Sequence, residues 1–424
     1  MADLSVNFAG IESPNPFWLA SAPPTNMGSM VERAFDAGWG GAVWKTLGEP
    51  IRNVSSRLAS IDGAQQRMIG LNNIELITDR PLDVNLREIA ECKRRYPKHA
   101  LIVSLMVESR REAWHEIVKR VEDTGADGVE LNFGCPHGMS ERGMGSAMGQ
   151  VPDYTCMVTE WVKEVAPFPV IVKLTPNVTA INPPGRAAVR GGADALSLIN
   201  TINSVMGVNL DTFVPHPNVA GKAAHGGYCG PAVKPIALNM VSELARDPEV
   251  GVPISGIGGI STWRDAAEFL LLGASTVQVC TAVMHYGYRV VEDMIDGLSN
   301  YLDEKGFPSV NDIIGRSSPR VTDWGNLDLN YKTVARIDHS KCIRCNLCHV
   351  ACEDGAHQCI PLVAQLTGER LPVVDEHECV GCNLCYLVCP VPGCISMVRL
   401  DDGSRPLTWR ELTAAQEPPP ASGD

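Results

Sequence analysis

No run of 18 consecutive apolar residues occurs in the 424-residue sequence, so no membrane-spanning helix is expected. The opening residues, Met-Ala-Asp-Leu-Ser-Val-Asn, carry neither a basic nor an apolar leader segment, and the chain reads as cytoplasmic. Basic residues are in deficit, with 36 Lys and Arg against 49 Asp and Glu and a formal net charge of −13. Nucleic acids and anionic membranes need a basic face, so both are excluded as partners in favour of small molecules and proteins. A strand followed by G-x-G-x-x-G, a helix and a later acidic residue is also missing, so the chain alone shows no NAD or FAD site. Cysteine is sparse through the first 330 residues, with five, while ten fall between Cys342 and Cys394. That clustering describes a local metal module and not a disulfide framework.

What is present has ordinary globular composition: 45% of residues are hydrophobic and 20% charged, and the length allows one large domain and a smaller one. Short apolar runs at 17–21, 41–45, 101–106, 128–132, 170–174, 195–200, 253–256 and 276–280 alternate with helical stretches. Several follow a helix-ending glycine, as in Gly125-Ala-Asp-Gly, Gly192-Ala-Asp-Ala and Gly273-Ala-Ser-Thr, the pattern of a helix that stops in the left-handed region and turns into a buried parallel strand. Eight βα units predict an α/β fold, a (β/α)8 TIM barrel over 1–305, with a doubly wound open sheet as the alternative. Residues 306–332 read as a connection, 333–400 as an α+β ferredoxin-like domain, and 401–424 as a C-terminal tail.

Within the third of these segments, Cys342, Cys345, Cys348 and Cys352, and again Cys379, Cys382, Cys385 and Cys389, have the spacing C-x2-C-x2-C-x3-C. At this spacing one loop wraps three thiolates around a 4Fe–4S cube and sends the fourth to the other cluster. One cluster is therefore expected on Cys342, Cys345, Cys348 and Cys389, and the other on Cys379, Cys382, Cys385 and Cys352. Aligning Cys342 with Cys379 gives a 37-residue repeat, broken where Cys352-Glu353 faces Cys389-Pro390. Cys359 and Cys394 read as buried small residues, since eight thiolates complete two clusters. A pair of zinc sites is the alternative reading of the module.

Clusters move electrons singly, so the barrel is expected to hold a two-electron cofactor. A flavin phosphate in a barrel is bound by the loops after strands seven and eight through backbone N–H groups. Here those loops are Ser255 to Thr262, which includes Gly258 and Gly259, and Cys280-Thr281-Ala282, preceded by Gly226 to Pro231. Polar residues end other strands: Lys45, Asn132, Lys173, and Asn200 with Thr201. A lysine beside the ring stabilises the reduced anion. The loop after Asn132 holds five glycines between Gly134 and Gly149 and reads as a mobile lid. Cys135 at its start is placed either as a structural thiol or as a general acid or base.

In combination, Lys45-Thr46, Asn73-Ile-Glu75-Leu-Ile77, Asn132-x-x-Cys135-Pro-His137-Gly-Met, Lys173-Leu-Thr-Pro-Asn-Val-Thr, Asn200-Thr201, Ser255 to Ile260 and the double cysteine run resemble the NAD-dependent dihydropyrimidine dehydrogenases. The resemblance covers the bacterial catalytic subunit and the C-terminal half of the long eukaryotic enzyme, from about residue 5 to residue 400. It implies an FMN-containing barrel in which hydride passes between the flavin and C6 of uracil or thymine while Cys135 exchanges a proton at C5. By the same resemblance Asn73, Asn132, Asn200 and Thr201 would bind the pyrimidine. Ala20, Ser21, Lys45, Asn132 and Lys173 would contact the flavin, with Gly227, Gly230, Gly258, Gly259 and Thr281 around its phosphate, and Glu75 and Ile77 nearby. Gly134 departs from relatives that carry Ser there. The family places FAD and the NAD(P) site on a second flavoprotein subunit, which implies a hetero-oligomer. A dihydroorotate dehydrogenase and a flavin/iron–sulfur electron-transfer subunit without its own substrate are the rival readings.

Overall fold

The computed structural model describes residues 2–63, 66–366 and 368–414, which fall into two compact units, Met1–Val321 and Thr322–Asp424. In the first, the strands in chain order are β1 (Val6–Phe8), β2 (Ile11–Ser13), β3 (Phe17–Leu19), β4 (Gly41–Leu47), β5 (Leu58–Gly63), β6 (Gln66–Asn73), β7 (Ala100–Leu105), β8 (Gly128–Asn132), β9 (Val170–Lys173), β10 (Ala195–Leu198), β11 (Ile202–Ser204), β12 (Gly226–Cys229), β13 (Ile254–Ile257) and β14 (Ala274–Val279). Eight of them close a parallel barrel in the order β3-β4-β7-β8-β9-β10-β13-β14. These are the eight runs expected from the sequence, so the open doubly wound sheet is set aside.

Two layers of apolar residues hold the barrel. Outward-facing side chains such as Trp44, Val103, Leu131 and Val172 pack against the surrounding helices, and all are fully buried. A smaller cluster of Trp18, Val43, Ile102, Ile171 and Ala195 fills one end of the interior against Phe8 and Ile11 of the β1–β2 hairpin. The Gly-Ala-Asp turns have a mechanism. Asp127 Oδ2 accepts from Leu101 N at 2.8 Å and Lys93 Nζ at 2.6 Å, and Asp194 Oδ2 accepts from Val170 N and Lys163 Nζ, both at 2.7 Å. Each aspartate thus ties an incoming strand to a lysine of a neighbouring helix. The helix Trp263–Leu271 starts on a Thr262/Asp265 capping box, worth roughly 1 kcal/mol.

Insertions elaborate the strand-end face. β5, β6, β11 and β12 form a four-stranded antiparallel sheet in the order β11-β12-β6-β5, which the barrel periodicity did not signal.

The stretch 306–332 is divided between the units instead of acting as a free connection. Val310 N bonds Asp3 O, and Gly315 N and Ser317 N bond Leu270 O and Leu271 O, which ties this part to the first unit.

The second unit has β15 (Lys332–Ile337) antiparallel to β18 (Ile395–Leu400), a small pair β16 (Leu362–Ala364) and β17 (Arg370–Pro372), and helices Leu347–Glu353 and Leu384–Val388. Backbone conformation repeats with the sequence: Arg344 and Gly381 lie at φ 60° and 67°, Asn346 and Asn383 at 61° and 72°, each pair 37 positions apart. Part of 401–424 is ordered against its own unit. Leu329 N bonds Leu407 O and Trp409 meets Trp324 edge to face at 5.7 Å; residues 415–424 lie outside the described residues. Among the described residues no helix is long and apolar enough to cross a membrane.

Candidate functional site

A cavity of about 1180 Å³ opens among the strand-end loops of the barrel. Its wall brings together Ala20, Ser21, Lys45, Asn73, Asn132, Cys135, Lys173, Asn200, Thr201, Gly230, Gly258, Gly259 and Thr281, residues more than 250 positions apart in the chain. Among the residues that the resemblance assigns to pyrimidine or flavin, Gly227 does not line it. Gly227 sits behind the wall, where its carbonyl accepts from Asn73 Nδ2 at 3.3 Å and a Cβ would come within 2.1 Å of Thr201 Oγ1.

One face of the cavity is a continuous hydrogen-bond chain. Ser21 Oγ lies 3.1 Å from Thr46 Oγ1, which accepts from Asn132 Nδ2 at 3.0 Å. Asn132 Oδ1 accepts from Asn200 Nδ2 at 2.9 Å, and Asn200 Oδ1 accepts from Thr201 N at 2.8 Å. These bonds fix both amides, so each presents a defined donor or acceptor to whatever binds. Gly134 belongs to this arrangement. A Cβ there would lie 2.3 Å from Asn200 Cβ, so a serine is incompatible with Asn200 as placed.

The two lysines are each matched by a carboxylate. Lys45 Nζ bonds Glu75 Oε1, and Lys173 Nζ lies 3.5 Å from Glu130 Oε1. Glu130, fully buried inside the barrel, also accepts from Ser197 Oγ at 2.8 Å and Gln278 Nε2 at 3.0 Å. Neither Glu130 nor Gln278 was singled out from the sequence. The signal was there, since a carboxylate within the buried run Gly128-Val-Glu-Leu-Asn132 must have partners.

Cys135 Sγ faces the cavity and points to His137 O at 3.6 Å. Its enclosed surroundings push the thiol up to about 11, opposed in part by the His137 backbone and the charge of Lys173. His137 Nε2 donates to Glu75 O at 3.0 Å, which leaves Nδ1 buried without a partner, and burial lowers the imidazole pKa. The loop read as a lid is packed down here. Met139 and Met144 join Ile77 and Met106 in a separate apolar cluster, with Cys135 at its edge. Two further thiols line the cavity, Cys229 and Cys280, and burial raises both.

At the other end of the cavity Gly230, Gly258 and Gly259 have φ of +93°, +129° and +74°. A Cβ on Gly259 would meet Lys234 Cβ at 2.8 Å, so the backbone there packs against the start of the helix Lys234–Ala245 as only glycine allows.

In the second unit two hollows of about 320 Å³ each divide the cysteines. One is lined by Cys342, Cys345, Cys348 and Cys389 with Cys394, the other by Cys352, Cys379, Cys382 and Cys385 with Cys359. The fourth cysteine of each run crosses to the other hollow, as the spacing predicts. None of the fifteen cysteines is paired in a disulfide.

The dihydroorotate dehydrogenase family model matches residues 3–302, and a 4Fe–4S dicluster domain matches residues 335–397. The chain belongs to the dihydroorotate dehydrogenase family. To that family's barrel it adds the dicluster domain. It is 43% identical to the NAD-dependent dihydropyrimidine dehydrogenase subunit PreA of Escherichia coli strain K12, over 84% of this chain and 87% of that one. Identity to the chloroplastic dihydropyrimidine dehydrogenase (NADP(+)) of Arabidopsis thaliana is 42%, over 77% and 79%. The catalytic subunit of dihydroorotate dehydrogenase B (NAD(+)) from Pyrococcus horikoshii is 38% identical, over 74% of this chain and 97% of its own length.

Proposed function

We propose that this chain is an oxidoreductase that interconverts uracil or thymine and their 5,6-dihydro forms, with Cys135 carrying the proton exchanged at C5. The carrying observation is the thiol of Cys135 in the wall of a cavity that also presents two oriented amides, Asn132 and Asn200. A thiol pushed up to about 11 is protonated at neutral pH and is an acid ready to deliver its proton. Asn73, Asn132, Asn200 and Thr201 suit the alternating carbonyls and N–H groups of a pyrimidine ring.

The residues present fit FMN. Lys45 and Lys173 supply cations for the ring, Gln278 Oε1 is a buried acceptor without a partner, and Ala20 and Ser21 border the same space. Gly230, Gly258, Gly259 and Thr281 form the backbone cradle suited to its phosphate. When bound, FMN supplies the two-electron exchange with C6, and the two 4Fe–4S clusters supply single-electron transfer. Cys342, Cys345, Cys348 and Cys389 would hold one cluster, and Cys352, Cys379, Cys382 and Cys385 the other.

Electrons would come from or go to an FAD- and NAD(P)-binding flavoprotein subunit, making the working enzyme a hetero-oligomer. Fifteen cysteines with no disulfide among them suit a reducing, cytoplasmic compartment. Dihydroorotate is the second substrate to weigh, because the barrel alone matches a dihydroorotate dehydrogenase subunit over almost that subunit's whole length. The chain is to be assayed with its flavoprotein partner on uracil and dihydroorotate side by side. Uracil reduction that outpaces dihydroorotate oxidation supports the proposal, and the reverse order overturns it.

A further inference from the structure

The cavity wall carries carboxylates beside its cations that the functional reading does not use. Its cations are Lys45 and Lys173, and each is already matched by an acid, Glu75 and Glu130. Lys45 and Glu75 keep only 6% and 11% of their side-chain surface exposed, so their charges act through protein more than through water. Arg57 Nη1 lies 3.8 Å from the same Glu75 oxygen, but it is 40% exposed and does not line the cavity, so solvent screens it. His137, the remaining basic side chain of the wall, donates through Nε2 to Glu75 O and is held neutral by burial. Glu75 itself lines the cavity, and among the described residues of the wall no unmatched cation is available to a carboxylate on the substrate ring.

Resting on the pyrimidine reading above, we infer that Glu75 is a specificity-determining residue: its carboxylate, paired with Lys45, admits uncharged pyrimidine rings and rejects those that carry a carboxylate, such as orotate and dihydroorotate. An anionic substituent entering this cavity meets a like charge at low effective dielectric and finds Lys45 already engaged. Like charges juxtaposed in an enclosed site are costly, and such repulsion discriminates ligands that otherwise share the same contacts. The His137 bond to Glu75 O couples this segment to the Cys135 loop, so the discriminating residue is tied to the loop that carries the thiol.

Binding of uracil and of orotate to the full chain, loaded with flavin and clusters, is to be read from the change in flavin absorbance for wild type, Glu75→Gln and the double variant Glu75→Gln/Lys45→Met. The wild type is expected to bind orotate at least about tenfold more weakly than uracil, and Glu75→Gln to shift the orotate-to-uracil affinity ratio roughly tenfold towards orotate. Adding Lys45→Met should take that gain back, because the freed lysine is its source. A ratio that stays within about twofold of wild type in Glu75→Gln overturns the inference, as does a wild type that binds both equally. A wild type that neither binds nor turns over either pyrimidine overturns the functional reading and this inference with it.

Discussion

In the barrel unit, the side chains around one cavity come from Ser21 to Thr281 and meet only because eight strands end on one face. In the cysteine-rich unit, each hollow takes three cysteines from a single seven-residue stretch, the fourth cysteine of the other run, and one further cysteine, Cys394 or Cys359. The first site is made by tertiary structure and depends on buried charge pairs. The second is made by local chain geometry, with left-handed residues at Arg344, Asn346, Gly381 and Asn383 bending each loop round its hollow. Removing one part should therefore have different consequences in the two units, and the largest expected difference is in electron passage. On the proposed reading, Cys382→Ala removes one ligand of one cluster and should abolish turnover driven through the proposed flavoprotein partner, while a single turnover of dihydropyrimidine against the bound flavin persists. Persistence of partner-driven turnover at the wild-type rate would remove the cluster unit from the electron path.

The next effect lies in the barrel. Cys135→Ala should lower uracil reduction by roughly 10²- to 10⁴-fold, with iron and flavin contents unchanged on analysis of the purified protein. Unchanged turnover would end the proton-transfer role.

These two sites were legible in the sequence to different depths, for the same physical reason that separates them. The grouping of the cysteines around two hollows, with its crossover, follows from spacing, because three donors on one short loop need no tertiary information. The strands of the barrel were legible too, since runs buried on both faces are continuous and apolar, as in Val170-Ile-Val-Lys173. The partners of the charged groups were not. Glu130 is visible as a carboxylate in a buried strand, but Ser197 and Gln278 reach it only after the barrel closes. The sheet of β5, β6, β11 and β12 also escaped, being assembled from two local strand pairs, β5–β6 and β11–β12, that join across more than 150 residues. The family resemblance implies Gly227 near the flavin phosphate, whereas the strand β12 turns it behind the wall towards Asn73.

Smaller effects sharpen the contrast. Glu130→Ala leaves Lys173 without its carboxylate inside the barrel and should cost about 3–5 kcal/mol of stability, seen as a lowered thermal midpoint of the barrel transition. A midpoint within a degree or so of wild type would show that the pair is not structurally coupled. With the Cys135 thiol raised to about 11 by burial, the protonated acid form is present throughout the neutral range. Uracil reduction should then hold steady as far as Cys135 is concerned and fall as pH climbs through that value, while the reverse reaction, which needs the thiolate, gains with pH. A pH–rate profile in both directions checks the opposite signs. At the small end, Cys359→Ala and Cys394→Ala should each cost about 1 kcal/mol and leave the iron content of about eight per chain intact. Loss of iron would make one of them a ligand.

The most direct test of the whole account is rapid anaerobic mixing of the oxidised full chain with dihydrouracil while flavin and cluster absorbance are followed. The account predicts flavin bleaching in the wild type and in Cys382→Ala, with cluster reduction impaired in the second, and neither signal on the same timescale in Cys135→Ala. Bleaching that survives undiminished in Cys135→Ala, or a wild-type flavin that dihydrouracil does not reduce, would contradict it.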